Sequence, residues 1–209
     1  MNPVTMKLAL LCVAVALGAC ASTPQKPFST ETELRDVHAI MKRDFHARGS
    51  AAMARLEPDV VQQACNLNDN APPEALVKSL EAGQLTAIPF PAGSLIGDWK
   101  SGQRIAQSGR GLQWNDGPKD VAGGSCYNCH QLSREEASYG TLGPSLLGFG
   151  KLRGSSPEMQ KYAYGRIYNS KAYNLCSQMP RLGHSGTLSE QQIKDLVGYL
   201  LDPASPVNR

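Results

Sequence analysis

The chain has 209 residues, of which 41% are hydrophobic and 19% are charged, and its formal net charge is +3. These values are typical of a soluble globular protein with one or two small domains. The charge lacks the strong basic excess of a nucleic-acid-binding protein, so we expect no nucleic acid partner.

The N-terminus predicts an export signal. Lys7 precedes an uncharged apolar run at 8–17. Ten apolar residues are the length of a signal-peptide core and are too few to span a membrane. We therefore expect residues 1–19 to be a signal peptide that sends the protein to the periplasm.

The signal ends in a sequence that is typical of a bacterial lipobox, Leu-Gly-Ala-Cys at 17–20. In this interpretation Cys20 becomes the lipidated N-terminus, and residues 20–29 tether the protein to the membrane. Cleavage after Ala21 is the alternative, and it would release the protein from the membrane.

Residues 30–96 predict an extension of three helices. Thr30 is a suitable N-cap for the first helix, and Pro58 and Pro73 can open the second and third. The last part, 84–97, contains two prolines and predicts a linker or a draped loop. Apolar side chains recur at helical spacing in each predicted helix: Leu34, Val37, Met41 and Phe45; Val60, Val61 and Ala64; Leu76, Val77 and Leu80.

Residues 97–209 predict a second helical unit, which makes the whole chain all-α. Helices are expected at 98–107 and 158–169. The clearest helix is the last, where Ser189 and Gln192 form a capping box. Its core-facing stripe follows a helical period: Ile193, Leu196, Val197, Leu200 and Leu201.

The most informative motif is Cys-Tyr-Asn-Cys-His at 126–130, which is the attachment signature of c-type haem. The spacing lets the thiols of Cys126 and Cys129 reach two vinyl groups on one edge of the porphyrin, while His130 approaches the iron from one face. The carbonyl of Pro144 could accept a hydrogen bond from His130 Nδ1, which would leave Nε2 for the iron.

A Cys-x-x-Cys pair also occurs in two other kinds of site. A redox-active dithiol is expected in a βαβ setting, and the sequence shows no such pattern. A structural zinc site needs four ligands, usually a second pair of closely spaced cysteines or histidines. The other cysteines here are single and far apart, so the haem interpretation is favoured.

The second axial position has several candidates. Met179 is followed by a proline and lies on a predicted loop ahead of the final helix, so it can approach the iron from the side opposite to His130. His184, Met159 and Cys176 are the other candidates. With both axial positions filled the iron would only transfer electrons, whereas an open position would indicate a haem enzyme or a gas sensor.

These motifs together resemble a class I cytochrome c over residues 97–201, and more specifically the SoxX family, the monohaem subunits of SoxAX cytochromes in thiosulfate oxidation. The resemblance extends over more than half of the chain that remains after signal removal. It is carried by six segments: GDWK at 97–100, IAQSGRG at 105–111, GGSCYNCHQL at 123–132, YGTLGPSL at 139–146, GKLRG at 150–154 and LLDPASPVN at 200–208.

The resemblance implies a class I cytochrome c fold at 97–209 with one covalently bound haem c and with His130 and Met179 as axial ligands. It also implies a heterodimer with a SoxA-like cytochrome subunit, which couples thiosulfate to a cysteine of the SoxYZ carrier. This chain would be the non-catalytic haem subunit and would pass electrons to a downstream cytochrome acceptor. The alternative is an independent periplasmic monohaem shuttle.

Two cysteines remain, Cys65 and Cys176. Disulfides are permitted in an exported protein, and we predict that these two residues form one. The bond would attach the extension to the loop that carries Met179. The alternative is two independent thiols.

Overall fold

The computed structural model describes residues 30–117 and 120–209. The predicted signal peptide at 1–19, the lipobox cysteine Cys20 and the tether at 20–29 lie outside these residues.

The described residues contain helices and irregular segments, with one isolated β-bridge between Arg48 and Ala51 and no β-strand. The α-helices are α1 (Glu31–Asp44), α2 (Val60–Leu67), α3 (Glu74–Thr86), α4 (Trp99–Gln107), α5 (Phe149–Arg153), α6 (Pro157–Tyr168) and α7 (Glu190–Leu201). The all-α prediction is confirmed. None of these helices is long and apolar enough to cross a membrane.

Side-chain caps fix where several helices begin. Thr30 and Glu33 form a capping box at α1, and Ser189 and Gln192 form one at α7, both at the predicted starting points. The second helix begins at Val60, two residues after the proline that was expected to open it, because Asp59 is its N-cap. Its buried side is formed by Val61 and Cys65, whereas Val60, expected on that face, is 62% exposed.

The main core lies where α4 crosses α7. Two glycines allow the helices to approach closely: a Cβ at Gly102 would collide with the backbone carbonyl of Asp195, and one at Gly198 would collide with the carbonyl of Gly97. The predicted stripe of α7 is buried as expected, apart from the partly covered Leu200. Helix α6 packs on the same helix through Ala163, Tyr164 and Ile167.

The segment that follows α3 was expected to be a linker or draped loop. It lacks regular structure, but Ile88 and Leu95 are buried in the main core. Phe90 packs beside Tyr164 with 5.9 Å between ring centroids. The segment therefore attaches the extension firmly to the helical core.

The C-terminal tail also belongs to the core. Val207 is fully buried, and its carbonyl accepts the backbone N–H of Gly148. The Asn208 side chain donates to the carbonyls of Leu200 and Asp202 and accepts from the backbone N–H of Lys151. The tail thereby ties the end of α7 to α5.

The extension reaches across the molecule to the segment that carries Met179. Cys65 of α2 and Cys176 are joined by a disulfide, as predicted, with 5.6 Å between their Cα atoms. Leu175 and Val61 complete a small apolar cluster around the bond. Helix α1 has no buried residue, so its predicted apolar face is only partly covered.

Candidate haem site

The Cys-x-x-Cys-His motif begins with a single 3₁₀ turn at Cys126–Asn128. The backbone N–H groups of Cys129 and His130 both donate to the carbonyl of Cys126, which closes the turn. Ser125 enters the turn with a φ of 45°, an uncommon left-handed conformation for this residue type. The turn is compact enough to hold both cysteines and the histidine on one short piece of chain.

The turn is attached to helix α4. The backbone N–H of Gly124 donates to the carbonyl of Ile105, and that of Ser125 donates to the carbonyl of Ser108. A Cβ on Gly124 would lie 3.0 Å from the Sγ of Cys126. Both cysteines are half-buried, and they are not bonded to each other.

The imidazole of His130 is fixed by the loop after the motif. Its Nδ1 lies 2.7 Å from the carbonyl oxygen of Pro144. Because the carbonyl can only accept, Nδ1 carries the proton and Nε2 is left as a ligand atom. A Cβ at Gly143 would collide with the ring, so glycine at this position allows the loop to pack flat against the imidazole.

Met179 lies half-buried against the main core. Its backbone is held on both sides by serines: its N–H donates to Ser177 Oγ at 3.2 Å, and its carbonyl accepts from Ser170 Oγ at 2.6 Å. Ser170 is fully buried. The segment at 175–182, which carries Met179 and which we call the methionine loop, is therefore held in place at the methionine.

The other candidates for the second axial position are less suitable. The sulfur of Cys176 is used in the disulfide. Met159 lies on α6 and packs against the core. His184 is exposed, and burial of part of its ring together with the charge of Arg181 lowers its pKa despite the opposing effect of Asp59.

A cavity of about 570 Å³ lies between the extension and the methionine loop. Its wall contains Met179 and Leu182 from the loop and basic side chains from both parts of the chain, Arg55, Lys171 and Arg181. Each of these three basic side chains already has an oxygen partner. Arg55 donates to the carbonyl of Leu112, and Lys171 donates to the carbonyls of Leu175 and Ser177. Arg181 forms an ion pair with the carboxylate of Asp59.

Four residues around Met179 were not predicted from the sequence: Ser170, Lys171, Asp59 and Arg181. They are polar side chains that hold the methionine loop through backbone carbonyls and one ion pair. Asp59 and Arg181 are 122 positions apart, and no local pattern relates them. Only the burial of Ser170 and Lys171 in the folded chain reveals their role.

The residues present are suited to covalent haem. Burial raises the pKa of the Cys126 thiol to about 12, and neither Cys126 nor Cys129 is used in a disulfide. His130 presents Nε2, and Met179 offers a thioether sulfur. Within 30–117 and 120–209, no three or more His, Cys, Asp or Glu side chains are grouped so that they could hold a metal ion.

Comparison with known proteins shows what this chain is similar to. The sequence model of the cytochrome c family matches residues 115–202. The chain is 30% identical to an uncharacterized lipoprotein of Aquifex aeolicus (strain VF5) over 206 residues, which are 95% of this chain and 96% of that protein. A crystal structure of SoxXA from P. pantotrophus matches with 25% identity and a TM-score of 0.37, over 51% of this chain and 82% of that chain.

Proposed function

This chain belongs to the same family as the Aquifex lipoprotein and contains a cytochrome c domain, and we propose that it is the electron-transfer subunit of a SoxAX-type cytochrome. The observation that carries its electron-transfer role is the fixed His130, whose Nδ1 is bound to Pro144 beside two unpaired cysteines. An imidazole held in this way is ready to bind iron through Nε2.

The chain's own residues define how one haem c would be bound. Cys126 and Cys129 would form the two thioether links, each by adding its S–H across a vinyl group. His130 and Met179 would be the axial ligands. The haem supplies an iron that alternates between Fe(II) and Fe(III), and a methionine ligand favours the Fe(II) state relative to a second histidine.

Two filled axial positions favour electron transfer over catalysis. Ser177 and Ser170 hold the backbone of Met179, so its side chain would stay on the iron and leave no open position for a substrate. In the proposed complex, the bond-forming chemistry belongs to the SoxA-like partner. This chain would receive electrons released when thiosulfate is coupled to the SoxYZ carrier, and would pass them to a downstream cytochrome.

The assignment to SoxX rests on the six sequence segments rather than on the haem motif, which all c-type cytochromes share. The segment at 200–208 ends in the tail that binds α5 and α7. We also propose that Cys20 is lipidated and anchors the protein on the periplasmic side of a membrane. The lipobox supports this, and so does similarity to a protein named a lipoprotein.

The ligand set is tested with holoprotein purified from a host with intact cytochrome maturation. We expect one haem per chain that resists acid-acetone extraction, a low-spin spectrum and the weak red absorption band of a methionine–Fe(III) bond. Met179→Ala should abolish that band and allow CO to bind the ferrous protein. Met159→Ala, a matched change on α6, should leave the band in place. Retention of the band in Met179→Ala would exclude Met179 as the ligand.

The partner is tested separately. The tagged chain, produced together with a SoxA-like cytochrome from the same genome, should be recovered as a one-to-one complex. Recovery of this chain alone under those conditions would instead support the independent shuttle. Cys20→Ala should move the protein from the membrane fraction to the soluble periplasm.

A further inference from the structure

The loop that carries Met179 is attached to the N-terminal extension on both sides of the methionine. Before it, Cys176 is bonded to Cys65 of α2, and the backbone N–H of Leu175 donates to Glu81 Oε1 of α3 at 2.8 Å. These contacts fix the chain three and four residues ahead of the proposed ligand.

After the methionine, the extension makes an ion pair. Arg181 Nη1 lies 2.6 Å from Oδ2 of Asp59, the N-cap of α2. The Arg181 side chain is only 13% exposed, so solvent screens this pair less than one on the open surface. The same carboxylate accepts the backbone N–H of Gln62 through its other oxygen, which holds its orientation.

The inner side of the loop is held by the cytochrome domain itself. Lys171 Nζ donates to the carbonyls of Leu175 and Ser177 at 3.0 and 3.2 Å, and Ser170 Oγ donates to the carbonyl of Met179. Asn169, next to them and fully buried, donates to Gln84 of α3. The extension therefore covers the outer side of a loop whose inner side is already hydrogen-bonded to Lys171 and Ser170.

We propose that the extension is a clamp that keeps Met179 on the iron, with Asp59 and Glu81 as positioning residues. This inference rests on the proposed axial role of Met179. Binding of an external ligand to the ferric iron requires the methionine to move away, which in turn requires the loop to open. Contacts that hold the loop closed should therefore set how fast an added ligand binds.

The first experiment compares ferric holoprotein variants by the rate at which added imidazole binds. Asp59→Asn removes the charge that holds Arg181, and we expect binding to be roughly tenfold faster and the red band to weaken. Glu57→Gln is the matched control. It removes a carboxylate of the same extension whose partners are Lys42 and His38 of α1, and its rate should equal that of the unaltered protein.

A second pair of variants separates positioning from a general loss of stability. Glu81→Gln keeps an acceptor oxygen for the Leu175 N–H and should bind imidazole at the unaltered rate. Glu81→Ala loses the acceptor and should bind faster. Equal rates in Asp59→Asn, Glu81→Ala and the unaltered protein would overturn the clamp.

Failure of the clamp and failure of the ligand assignment give different results. If Met179 is not a ligand, Met179→Ala leaves the absorption spectrum of the holoprotein unchanged. Hydrogen exchange of the amides at 175–181 then still reports on the clamp, because Asp59→Asn and Glu81→Ala should speed exchange there and Glu57→Gln should not. If hydrogen exchange at 175–181 were unchanged in both Asp59→Asn and Glu81→Ala, the clamp would be overturned.

Discussion

At the scale of single residues, Gly143 packs directly against the His130 ring. A Cβ at this position would collide with the imidazole and push the loop away, which would lengthen the bond from Nδ1 to Pro144. Without that bond the imidazole is a weaker electron donor, so Fe(III) is less well stabilised. We predict that Gly143→Ala lowers the yield of holoprotein and raises the reduction potential of what remains.

Pro144→Ala is the matched comparison, because it keeps the carbonyl that His130 binds. Its potential, measured by redox titration, should stay near the unaltered value. An unchanged potential and yield in Gly143→Ala would show that the loop can move without loss of the hydrogen bond.

The carboxyl group of Asp59 leads to a prediction about how the free energy of unfolding changes at acidic pH. Burial alone would raise the pKa of its carboxyl, but the Gln62 N–H and the Arg181 guanidinium outweigh burial and hold that pKa below its ordinary value of 3.8. The stability it contributes is therefore present above pH 3.8 and is lost as the pH falls through the lower folded-state pKa. Acid titration of the free energy of unfolding should show a shallower decline below pH 4 in Asp59→Asn than in the unaltered protein.

Residues whose roles depend on near neighbours could be predicted from the sequence, and the others could not. The carbonyl of Pro144 follows His130 by 14 residues, and the Gly-Pro turn brings it back. Lys171 gave no such signal, because a buried lysine is recognised only when the carbonyls that receive its ammonium group are known. The pairing of Asp59 with Arg181 depends on how the whole extension docks.

At the scale of elements, the helix ends were predictable because capping boxes are local. The crossing of α4 and α7 could not be predicted. Periodicity identifies the buried face of a helix, but it does not identify which helix packs on that face or how closely the two helices approach. That distance is set by Gly102 and Gly198. Helix α5 is only five residues long, too short for a periodic pattern to mark it.

The crossing can be tested with the same substitution in two helices. Gly198→Ala places a methyl group against the carbonyl of Gly97, and we expect it to lower the free energy of unfolding by about 1–3 kcal/mol. Gly83→Ala in α3 meets no atom within 4 Å and should raise it by about 0.5–1 kcal/mol. Chemical denaturation of both holoproteins measures the difference, and equal effects would mean that the crossing adjusts freely.

At the scale of the whole molecule, the first and last parts of the described chain both fasten the haem-binding region. The extension reaches the methionine loop through the disulfide, and the tail joins α5 to α7 through Asn208. The cytochrome fold is thus closed by contacts between residues distant in sequence. The disulfide could be predicted because a chain that is expected to be exported, and that has two unassigned cysteines, has few other uses for them.

The Cys65–Cys176 bond joins residues 111 positions apart, so it restricts the unfolded chain strongly. In the chain-entropy view a loop of this size is worth about 4–5 kcal/mol. We predict that the double variant Cys65→Ser, Cys176→Ser loses most of this free energy of unfolding in chemical denaturation while it keeps its haem. A single variant, with only one of the two cysteines changed to serine, is a poor test because it leaves the other thiol unpaired and reactive. Alkylation followed by mass spectrometry of the unaltered protein should find neither thiol free, and two alkylated cysteines there would contradict the bond.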